Sequence, residues 1–431
     1  MLRLALSAVA AACLTAVSVQ AQEEAEPFSI QGTATALAGE ANRAFEAEDW
    51  EAARRALESA LALKPQHPAY LGGLVQVGLH SGDENLIFDA LERLAAAGIA
   101  YDRSRLGDAD ESLRAMQPDR YAALDAALTR TTGMIGMAER EARIDTGALI
   151  EGVAMDIETD RLFLSSVSGR EVLLVEPFDR ETFTVFADAE HGLQSVFGLA
   201  VDSRNRVLWA TTGVLPQTGL PEGETGETAL VALDLVTGDV YRRYTIDGAE
   251  RIADVTVRDG IVYVTDSGAN RIYRLNGLNE ELQLLSDDPR FVSLQGLALA
   301  QGALYVADYA IGLWRIDLED GAATLVRAGT ESLIGIDGLG ATRDGERLIA
   351  VRNGMAPNQV FAIEFAPRGR AVSGHEILLR GHADFGEPTL LDVKDDRIWL
   401  VANSPWPLYP DDGSGPTGTV EPLVILEIDL D

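Results

Sequence analysis

A short phrase recurs six times in the last two thirds of the chain, each time at the start of an apolar run. The six copies begin at Glu151, Phe197, Asp254, Gln295, Asp337 and Glu387. They are spaced 46, 57, 41, 42 and 50 residues apart, and two further apolar runs follow each copy. A period of about 40–50 residues that contains several short strands is typical of one blade of a β-propeller. The sequence therefore predicts a mainly β fold, with a six-bladed β-propeller at 132–431.

The sixth repeat is shorter than the others, because the chain ends at Asp431 before a fourth strand can follow. Fourth strands are visible in the first five repeats, for example at 182–186 and 240–245. A closed ring leaves no sheet edge exposed to other chains. We therefore expect a segment between Thr132 and Ile144 to supply the missing strand and close the circle.

The region before the repeats, 33–130, is rich in Ala, Leu and Glu, with apolar residues at helical spacing. It resembles tetratricopeptide repeats, with one copy at about 34–67, a weaker copy at about 68–101 and a capping helix pair at 106–128. The residues that carry the resemblance in the first copy are Ala41, Phe45, Trp50, Ala53, Leu57, Ala60 and Pro65. Two repeats offer little concave surface. A helical cap packed on the next domain is therefore favoured over a groove for a protein partner, and both interpretations stay open.

The first 21 residues have the layout of a cleaved secretory signal, with an apolar region followed by Val19-Gln20-Ala21. The mature chain would then begin near Gln22 and be secreted or periplasmic. The single cysteine, Cys13, lies inside this segment, so the mature protein would have neither a disulfide nor a cysteine metal ligand. A lipoprotein signal is the less favoured interpretation, because the usual leucine is missing from the residues just before Cys13.

The net charge and the motif content of the sequence limit the kinds of ligand that the protein is expected to bind. The formal net charge of −33 argues against a nucleic-acid partner, since binding a phosphate backbone needs clustered Lys and Arg. After the leader, no stretch is long and apolar enough to span a bilayer. Gly-x-Ser-x-Gly, His-Glu-x-x-His and phosphate-loop motifs are absent from the sequence. Cations, small molecules and other proteins remain as candidate ligands.

The first residues of the six phrases, called here the phrase heads, carry the main functional signal. The first strand of a blade lines the central channel of a propeller, so we expect the heads to meet at one channel mouth. Four heads are carboxylates, which repel one another unless some bind protons or a cation. Oxygen donors favour calcium, magnesium or manganese over zinc. The sequence thus predicts a divalent cation, with calcium favoured, bound by Glu151, Asp254, Gln295, Asp337 and Glu387. The competing interpretation is that the Glu-Gly and Asp-Gly pairs are ordinary turns.

Other residues are expected to approach the same mouth. The ends of the second strands would add contacts around the heads through Thr211, Asp266, Asp308, Asn353 and Asn403. Two long connections rich in Pro and Gly, 213–228 and 404–421, would overhang the mouth as lids or specificity walls, or be tolerated surface insertions. The second connection carries Trp406 and Tyr409.

Several phrases resemble those of the senescence-marker protein and gluconolactonase family over about 145–431. The carriers are Glu151-Gly152, Gln295-Gly296-Leu297-Ala298 with Tyr305-Val306-Ala307-Asp308, and Asp337-Gly338-Leu339. The resemblance implies a six-bladed propeller, a divalent cation, and hydrolysis of lactones or related esters. It further implies that Asp337 is the general base and also a cation ligand, with Glu151, Asp254 and Gln295 as the other ligands. Asp254 and Gln295 stand where that family has asparagine.

Two classes of function are consistent with these patterns. In the first, the protein is an exported, metal-dependent hydrolase that acts on a small-molecule lactone or ester. In the second, it is a non-catalytic binding or scaffold protein in which the propeller and helical repeats hold a partner, since a propeller supports many functions. The extra negative charge at Asp254 would bind a cation more tightly but weaken its Lewis acidity, which keeps the second class open.

Overall fold

The structure, a computed structural model, describes residues 29–220, 223 and 225–430. The predicted leader at 1–21 lies outside these ranges. Within them, six α-helices precede a series of β-strands. The helices are α1 (Ile30–Glu46), α2 (Trp50–Leu63), α3 (Pro68–Ser81), α4 (Glu84–Ala96), α5 (Ala109–Met116) and α6 (Pro118–Thr132). Not one of these helices has the length and apolar character needed to cross a membrane.

The strands form six four-stranded antiparallel sheets, which are the blades. Strand β1 (Glu139–Ile144) comes first in the chain and belongs to the last blade. Blade 1 consists of β2 (Ile150–Asp156), β3 (Arg161–Ser166), β4 (Glu171–Val175) and β5 (Phe183–Ala187). Blade 2 consists of β6 (Ser195–Asp202), β7 (Val207–Gly213), β8 (Ala229–Asp234) and β9 (Val240–Tyr244). Blade 3 consists of β10 (Ile252–Arg258), β11 (Ile261–Asp266), β12 (Arg271–Leu275) and β13 (Gln283–Ser286).

The remaining three blades follow in the same order. Blade 4 consists of β14 (Leu294–Ala300), β15 (Ala303–Asp308), β16 (Gly312–Ile316) and β17 (Ala323–Leu325). Blade 5 consists of β18 (Ile336–Ala341), β19 (Arg347–Arg352), β20 (Gln359–Phe365) and β21 (Val372–Arg380). Blade 6 consists of β22 (Leu391–Lys394), β23 (Arg397–Val401), β24 (Leu423–Asp429) and β1.

The ring closes where the sequence predicts it. The outer strand of blade 6 is β1, which pairs antiparallel with β24 from Glu139 opposite Glu427 to Ile144 opposite Leu423. This joins residues from the beginning and the end of the propeller in one sheet, so no blade is left with a missing strand. The predicted six-bladed propeller preceded by helices is confirmed.

The glycines of the recurring phrases allow neighbouring inner strands to approach closely. A Cβ atom at Gly152 would lie 2.7 Å from the carbonyl oxygen of Phe197 in the next blade, and one at Gly338 would lie 2.8 Å from that of Thr389. The same crowding occurs at Gly198 and at Gly296, which face the backbone of blades 3 and 5 respectively. These glycines lie inside strands, so the interpretation of the phrases as ordinary turn pairs is wrong.

The N-terminal helices form a core of their own that also includes two propeller side chains, Ile334 and Met355. Each predicted repeat contains one helix pair, α1 with α2 and α3 with α4, and the predicted capping pair corresponds to α5 and α6. That these pairs are tetratricopeptide repeats stays a prediction. The shared core shows that the helices pack against the propeller, as the cap interpretation expects.

Candidate functional site

All six phrase heads line one cavity at a mouth of the central channel. The cavity has a volume of about 290 Å³. Its lining consists of Glu151, Phe197, Leu215, Arg251, Ala253, Asp254, Ser267, Gln295, Tyr309, Asp337, Asn353, Glu387, Thr389 and Trp406. The five residues predicted as cation ligands are therefore brought together from five different blades.

A local irregularity of the inner strands places the heads at this mouth. In each of the first five blades the register between the first and second strands shifts at the phrase head, for example between Ile150 and Gly152 around Glu151. The shift around Asp337 lies between Ile336 and Leu339. Such bulges redirect side chains and are common beside functional sites. The repeated bulge explains why residues at one sequence offset converge.

The sixth head is positioned differently from the others. The inner strand β22 begins only at Leu391, and Glu387 instead forms an isolated bridge with Ser404. Pro388 follows Glu387 and has no N–H to donate to a ladder. The expectation that an inner strand starts at Glu387 is therefore wrong, although its side chain still reaches the cavity.

The carboxylates of this cavity have raised pKa values. Burial, followed by the charge of Asp337, raises the pKa of Asp254 to about 8. Burial, together with the charge of Glu387 and against the hydrogen bond from Asn353, raises the pKa of Asp337 to about 6. Asp254 is only 7% exposed to solvent, and Asp337 only 9%. At neutral pH Asp254 therefore favours a proton or a cation, whereas Asp337 is mostly ionised and adds negative charge to the cavity.

The two glutamates of the cavity keep part of their surface accessible but show the same trend. Burial raises the pKa of Glu151 well above its ordinary value, and the charges of Asp337, Asp254 and Glu387 add to this effect. Burial also raises the pKa of Glu387. The charges that act on these groups are those of other carboxylates, so the described side chains leave the negative charge of the mouth uncompensated.

A small set of hydrogen bonds orients the carboxylates. Trp406 donates its indole N–H to Oε2 of Glu151. Asn353 donates Nδ2 to Oδ2 of Asp337 at 2.7 Å and to the carbonyl oxygen of Pro388 at 2.9 Å. The hydroxyl of Tyr309 donates to Oδ1 of Asn353 at 3.0 Å. Asp337 is thus held by a chain of two side chains from blades 4 and 5.

The cavity lining includes one cationic side chain, that of Arg251. Its Nε donates to Oγ of Ser267 at 2.8 Å. Among the described residues, its guanidinium forms neither a hydrogen bond nor an ion pair with the four carboxylates.

The donor chemistry of the mouth fits a hard divalent cation. The candidate ligands offer carboxylate and amide oxygens only, and their charge is not balanced by a neighbouring Lys or Arg. Within residues 29–220, 223 and 225–430, however, no group of three or more His, Cys, Asp or Glu side chains is arranged to hold a metal ion. The oxygens are thus gathered around one cavity without forming a finished ligand cage.

The predicted contacts from the second strands are correct for Asn353 alone. Asp308 accepts hydrogen bonds from the backbone N–H groups of Val292, Ser293 and Ala310, and so organises a loop. Asp266 does the same for the backbone around Glu250 and Arg251, while Thr211 and Asn403 also bond to backbone groups. These four residues lie outside the cavity lining and bond to backbone groups, and Thr211 thereby contacts the backbone beside two phrase heads, at Gly198 and Ala253.

The two long connections do reach the mouth. Leu215 from the first and Trp406 from the second line the cavity. The connections touch each other, because Gln217 donates Nε2 to the carbonyl oxygen of Pro410 at 2.9 Å. The sequence patterns gave no indication that Arg251, Ser267, Tyr309, Leu215 and Thr389 line the cavity. Tyr309 directly follows the end of strand β15, so its position beside a strand end was the available signal.

Comparisons with known proteins concern the fold. No protein-family model matches the chain, and no curated protein matches it. A gluconolactonase structure from Xanthomonas campestris matches with 19% identity and a TM-score of 0.46, covering 66% of this chain and 87% of that one. The calcium-binding protein regucalcin from Agrobacterium tumefaciens matches with 16% identity and a TM-score of 0.46, covering 67% and 93%.

A third similar structure is that of a different kind of enzyme, a dehydrogenase. The PQQ-bound form of an aldose sugar dehydrogenase from Streptomyces coelicolor matches with 15% identity and a TM-score of 0.45, covering 69% of this chain and 100% of that one. The six-bladed β-propeller and the helical region before it are established by the strand pairing of the chain itself, and the solved structures similar to it include a gluconolactonase and a regucalcin.

Proposed function

We propose that the acidic mouth binds a divalent cation, calcium in the first place, and that the protein hydrolyses a lactone or a related ester there. The observation that carries the proposal is the set of four carboxylates in one cavity whose charge the described side chains do not balance. Buried carboxylates of this kind are neutralised either by protons or by a bound cation. A ligand set made only of oxygen atoms suits calcium.

The roles of the chain's own residues follow from their positions. Glu151, Asp254, Gln295 and Glu387 would hold the cation together with Asp337. When bound, such a cation supplies Lewis acidity that polarises a carbonyl oxygen. Asp337 would accept a proton from the attacking water as general base. In the cation-free protein the pKa of Asp337 is raised to about 6, and a bound cation would lower it, which would keep the carboxylate in the ionised form that a general base needs.

The surroundings of the carboxylates fit a small organic substrate. Phe197, Leu215, Tyr309 and Trp406 give the cavity apolar and aromatic walls, and Arg251 offers a guanidinium that can donate hydrogen bonds to substrate oxygens. Asn353 fixes the orientation of Asp337 through its 2.7 Å hydrogen bond. The long connection with Trp406 limits access of water from one side.

A second candidate is a non-catalytic binding protein whose cation has a structural role. The donor set favours it, since four carboxylates around one cation reduce its Lewis acidity more than neutral amide ligands would. In this case the helical region would be the surface that holds a protein partner. The proposal also includes export, because the N-terminal 21 residues have the layout of a secretory signal.

The test combines cation binding with hydrolysis. Protein stripped with a chelator is titrated calorimetrically with calcium, magnesium, manganese and zinc, and is then assayed on a panel of five- and six-membered lactones and simple esters. We expect tightest binding for calcium and a rate that chelator abolishes and calcium restores. Asp337→Asn should lower the rate at least about 100-fold, the usual scale for loss of general base catalysis.

The control is Asp411→Asn, which changes an exposed carboxylate on the connection that carries Trp406. It should leave both cation affinity and rate within twofold of the unsubstituted protein. Calcium binding without turnover of any compound in the panel would favour the non-catalytic alternative. Absence of binding for all four cations would overturn the proposal as a whole.

A further inference from the structure

The helical region docks on two loops of the propeller that lie next to the candidate site in the sequence. One docking segment of the propeller is 329–332. Gln66, in the turn between α2 and α3, donates Nε2 to the carbonyl oxygens of Gly329 at 2.8 Å and Thr330 at 2.9 Å. The backbone N–H of Ser332 donates to the carbonyl oxygen of Ala97, just after α4, at 3.3 Å. This segment leads directly into the inner strand β18 that carries Asp337.

The second docking segment, 353–358, follows strand β19 of the same blade. The backbone N–H of Ala100 donates to the carbonyl oxygen of Ala356 at 3.0 Å. Met355 is buried in the core of the helical region, with 7% of its surface exposed. Ile334, from the segment before β18, is buried in the same core. The loop before β18 and the loop after β19 are therefore both partly packed into the core of the helical region.

A buried ion pair ties the two loops to the helices. Arg352, which is fully buried, donates Nη1 to Oε1 of Glu331 at 2.8 Å and to the carbonyl oxygen of Ser332 at 2.9 Å. Its Nη2 donates to the carbonyl oxygen of Gly98, beyond the C-terminus of α4, at 3.1 Å. One guanidinium thus links the two propeller loops with the end of a helix.

The same loops present the residues that hold Asp337. The carbonyl oxygen of Gly335 accepts hydrogen bonds from the N–H of Asn353 at 3.2 Å and from that of Gly354 at 3.1 Å. The N–H of Gly335 donates to the carbonyl oxygen of Tyr309 at 2.9 Å. Asn353 then donates to the carboxylate of Asp337. A continuous path of covalent bonds and these hydrogen bonds therefore connects the docked helices with the cavity.

We infer that the docked helical region positions Asp337 and Asn353, so that the helices are a structural part of the cation pocket rather than an independent module. This inference rests on the proposed function for the identity of the ligand. The contacts between the helices and the loops do not depend on the proposed function, because they are all formed by described residues of the chain. Since Arg352 and Asn353 are consecutive, a shift of the helices that moves Arg352 also moves the side chain that orients Asp337.

The test loosens the docking without touching the cavity. Met355→Ala removes the propeller side chain that fills the helical core, and Leu113→Ala is the matched control, because Leu113 is fully buried in the same core but belongs to α5. Both variants are titrated calorimetrically with calcium chloride, and backbone hydrogen exchange is measured by mass spectrometry without cation.

We expect Met355→Ala to weaken calcium binding five- to twentyfold and to speed exchange at 333–338 and 352–356. Leu113→Ala should lower the melting temperature by a comparable amount but keep the calcium affinity within twofold. Met355→Leu, which refills most of the volume, should restore the affinity. If Met355→Ala binds calcium like the unsubstituted protein and leaves exchange in both segments unchanged, the inference is wrong.

Two further outcomes separate the inference from the proposed function. If the unsubstituted protein binds no cation, the proposed function fails, while the exchange of the Asn353 and Gly354 amides still decides whether the helices hold the loops. If Met355→Ala does not fold, Gln66→Ala takes its place, since it removes two hydrogen bonds from a partly exposed side chain. It should produce the same pattern with a smaller, two- to fivefold loss of affinity, and unchanged exchange would contradict the inference.

Discussion

Blade 5 contains two buried carboxylates, Asp337 and Glu331, whose charges are balanced in opposite ways. Asp337 faces the channel, where three other carboxylates share its cavity and raise one another's pKa values. Glu331 faces the helices and is 4% exposed. It accepts hydrogen bonds from Arg352 and Gln359 and lies 3.1 Å from Nε2 of His375. The negative charge at Glu331 is therefore balanced within the chain.

The difference separates a balanced buried charge from an unbalanced one. Burial by itself raises the pKa of Glu331, but the hydrogen bond from His375 and the charge of Arg352 outweigh burial and lower the pKa. At the mouth, none of the cationic side chains in the described part of the chain lowers the pKa values of Asp254 and Asp337, and burial prevails. A buried ion pair that is complete holds a fold together, whereas a group of buried like charges marks a site that awaits a ligand. Removing charge should thus harm the first cluster and relieve the second.

The largest expected effect is at the balanced cluster. Arg352→Met removes the guanidinium that pairs with Glu331 and leaves a buried carboxylate with fewer partners. Breaking a buried pair from one side destabilises a protein by about 3–5 kcal/mol, and urea unfolding at pH 7.5 measures the change. The control is Arg343→Met, whose exposed pair with Asp395 should contribute less than about 1 kcal/mol. Equal losses for both variants would contradict the distinction.

Removing charge from the mouth should have the opposite sign. Asp254 has a folded-state pKa of about 8 against 3.8 for the ordinary group. The folded state therefore binds more protons than the unfolded state between these values, and stability falls as pH rises through this window. Asp254→Asn should stabilise the cation-free protein at pH 8.5 by roughly 2–3 kcal/mol, less than the full shift would give because neighbouring carboxylates share protons.

Urea unfolding in the presence of chelator at pH 4 and at pH 8.5 measures the effect of Asp254→Asn. The stabilisation should be small at pH 4. It should also be lost when calcium replaces the chelator, because an amide binds the cation less tightly than a carboxylate does. Asp411→Asn, on the surface, should be neutral at both values. A loss of stability at pH 8.5 would show that Asp254 has a favourable partner in the folded state.

A smaller effect is expected at His375. The hydrogen bond with Glu331 raises the pKa of His375 above 6.5. The resulting stabilisation is therefore complete below pH 6.5 and is lost as pH rises through the folded-state value. His375→Gln should cost less than about 1 kcal/mol at pH 5.5, since part of the side chain is exposed and solvent screens the pair, and still less at pH 9. The midpoints of urea unfolding at the two pH values measure the cost of the substitution. A larger cost at pH 9 than at pH 5.5 would contradict a stabilising contact between protonated His375 and Glu331.

The ring of blades was predictable because each blade repeats one pattern. The phrase heads recur at a blade-sized period, and the missing strand at the chain's end requires a partner from 132–144. The convergence of Glu151, Asp254, Gln295, Asp337 and Glu387 followed from the same register. The bulge that turns these side chains to the mouth leaves no clear sequence signal, whereas the late start of β22 was indicated by Pro388, which cannot donate to a ladder.

The docking of the helices could not be predicted from local patterns. Glu331, Arg352 and His375 lie far apart in the sequence, in the loop before β18 and on two strands of blade 5, and the helical region contributes the carbonyl oxygen of Gly98 to their cluster. A Cβ at Gly98 would lie 2.1 Å from Oε1 of Glu331, yet in the sequence this residue is merely a glycine after a helix. Long-range packing of this kind depends on how two domains meet, which no periodicity encodes.

The last prediction concerns ligand affinity rather than stability, and it involves a hydrogen bond at the mouth. Trp406 donates its indole N–H to Glu151, and this contact opposes the rise in the pKa of that carboxyl. Trp406→Phe keeps an aromatic ring but removes the donor, so the pKa of Glu151 should rise further and protons should compete better with a cation. Since a hydrogen bond to a charged, partly accessible group is worth about 0.5–1.5 kcal/mol, calcium affinity at pH 7 should fall two- to tenfold.

Calorimetric titration of calcium at pH 7 and pH 9 separates this effect from a loss of packing. If the indole N–H acts through the protonation of Glu151, the deficit of Trp406→Phe should shrink at pH 9, where the carboxyl is ionised more completely in both proteins. Tyr409→Phe, on the same connection and outside the cavity lining, should bind calcium normally. A deficit independent of pH would mean that Trp406 acts through the shape of the wall, and the acidic mouth would then depend less on its hydrogen bonds than blade 5 does on those of Glu331.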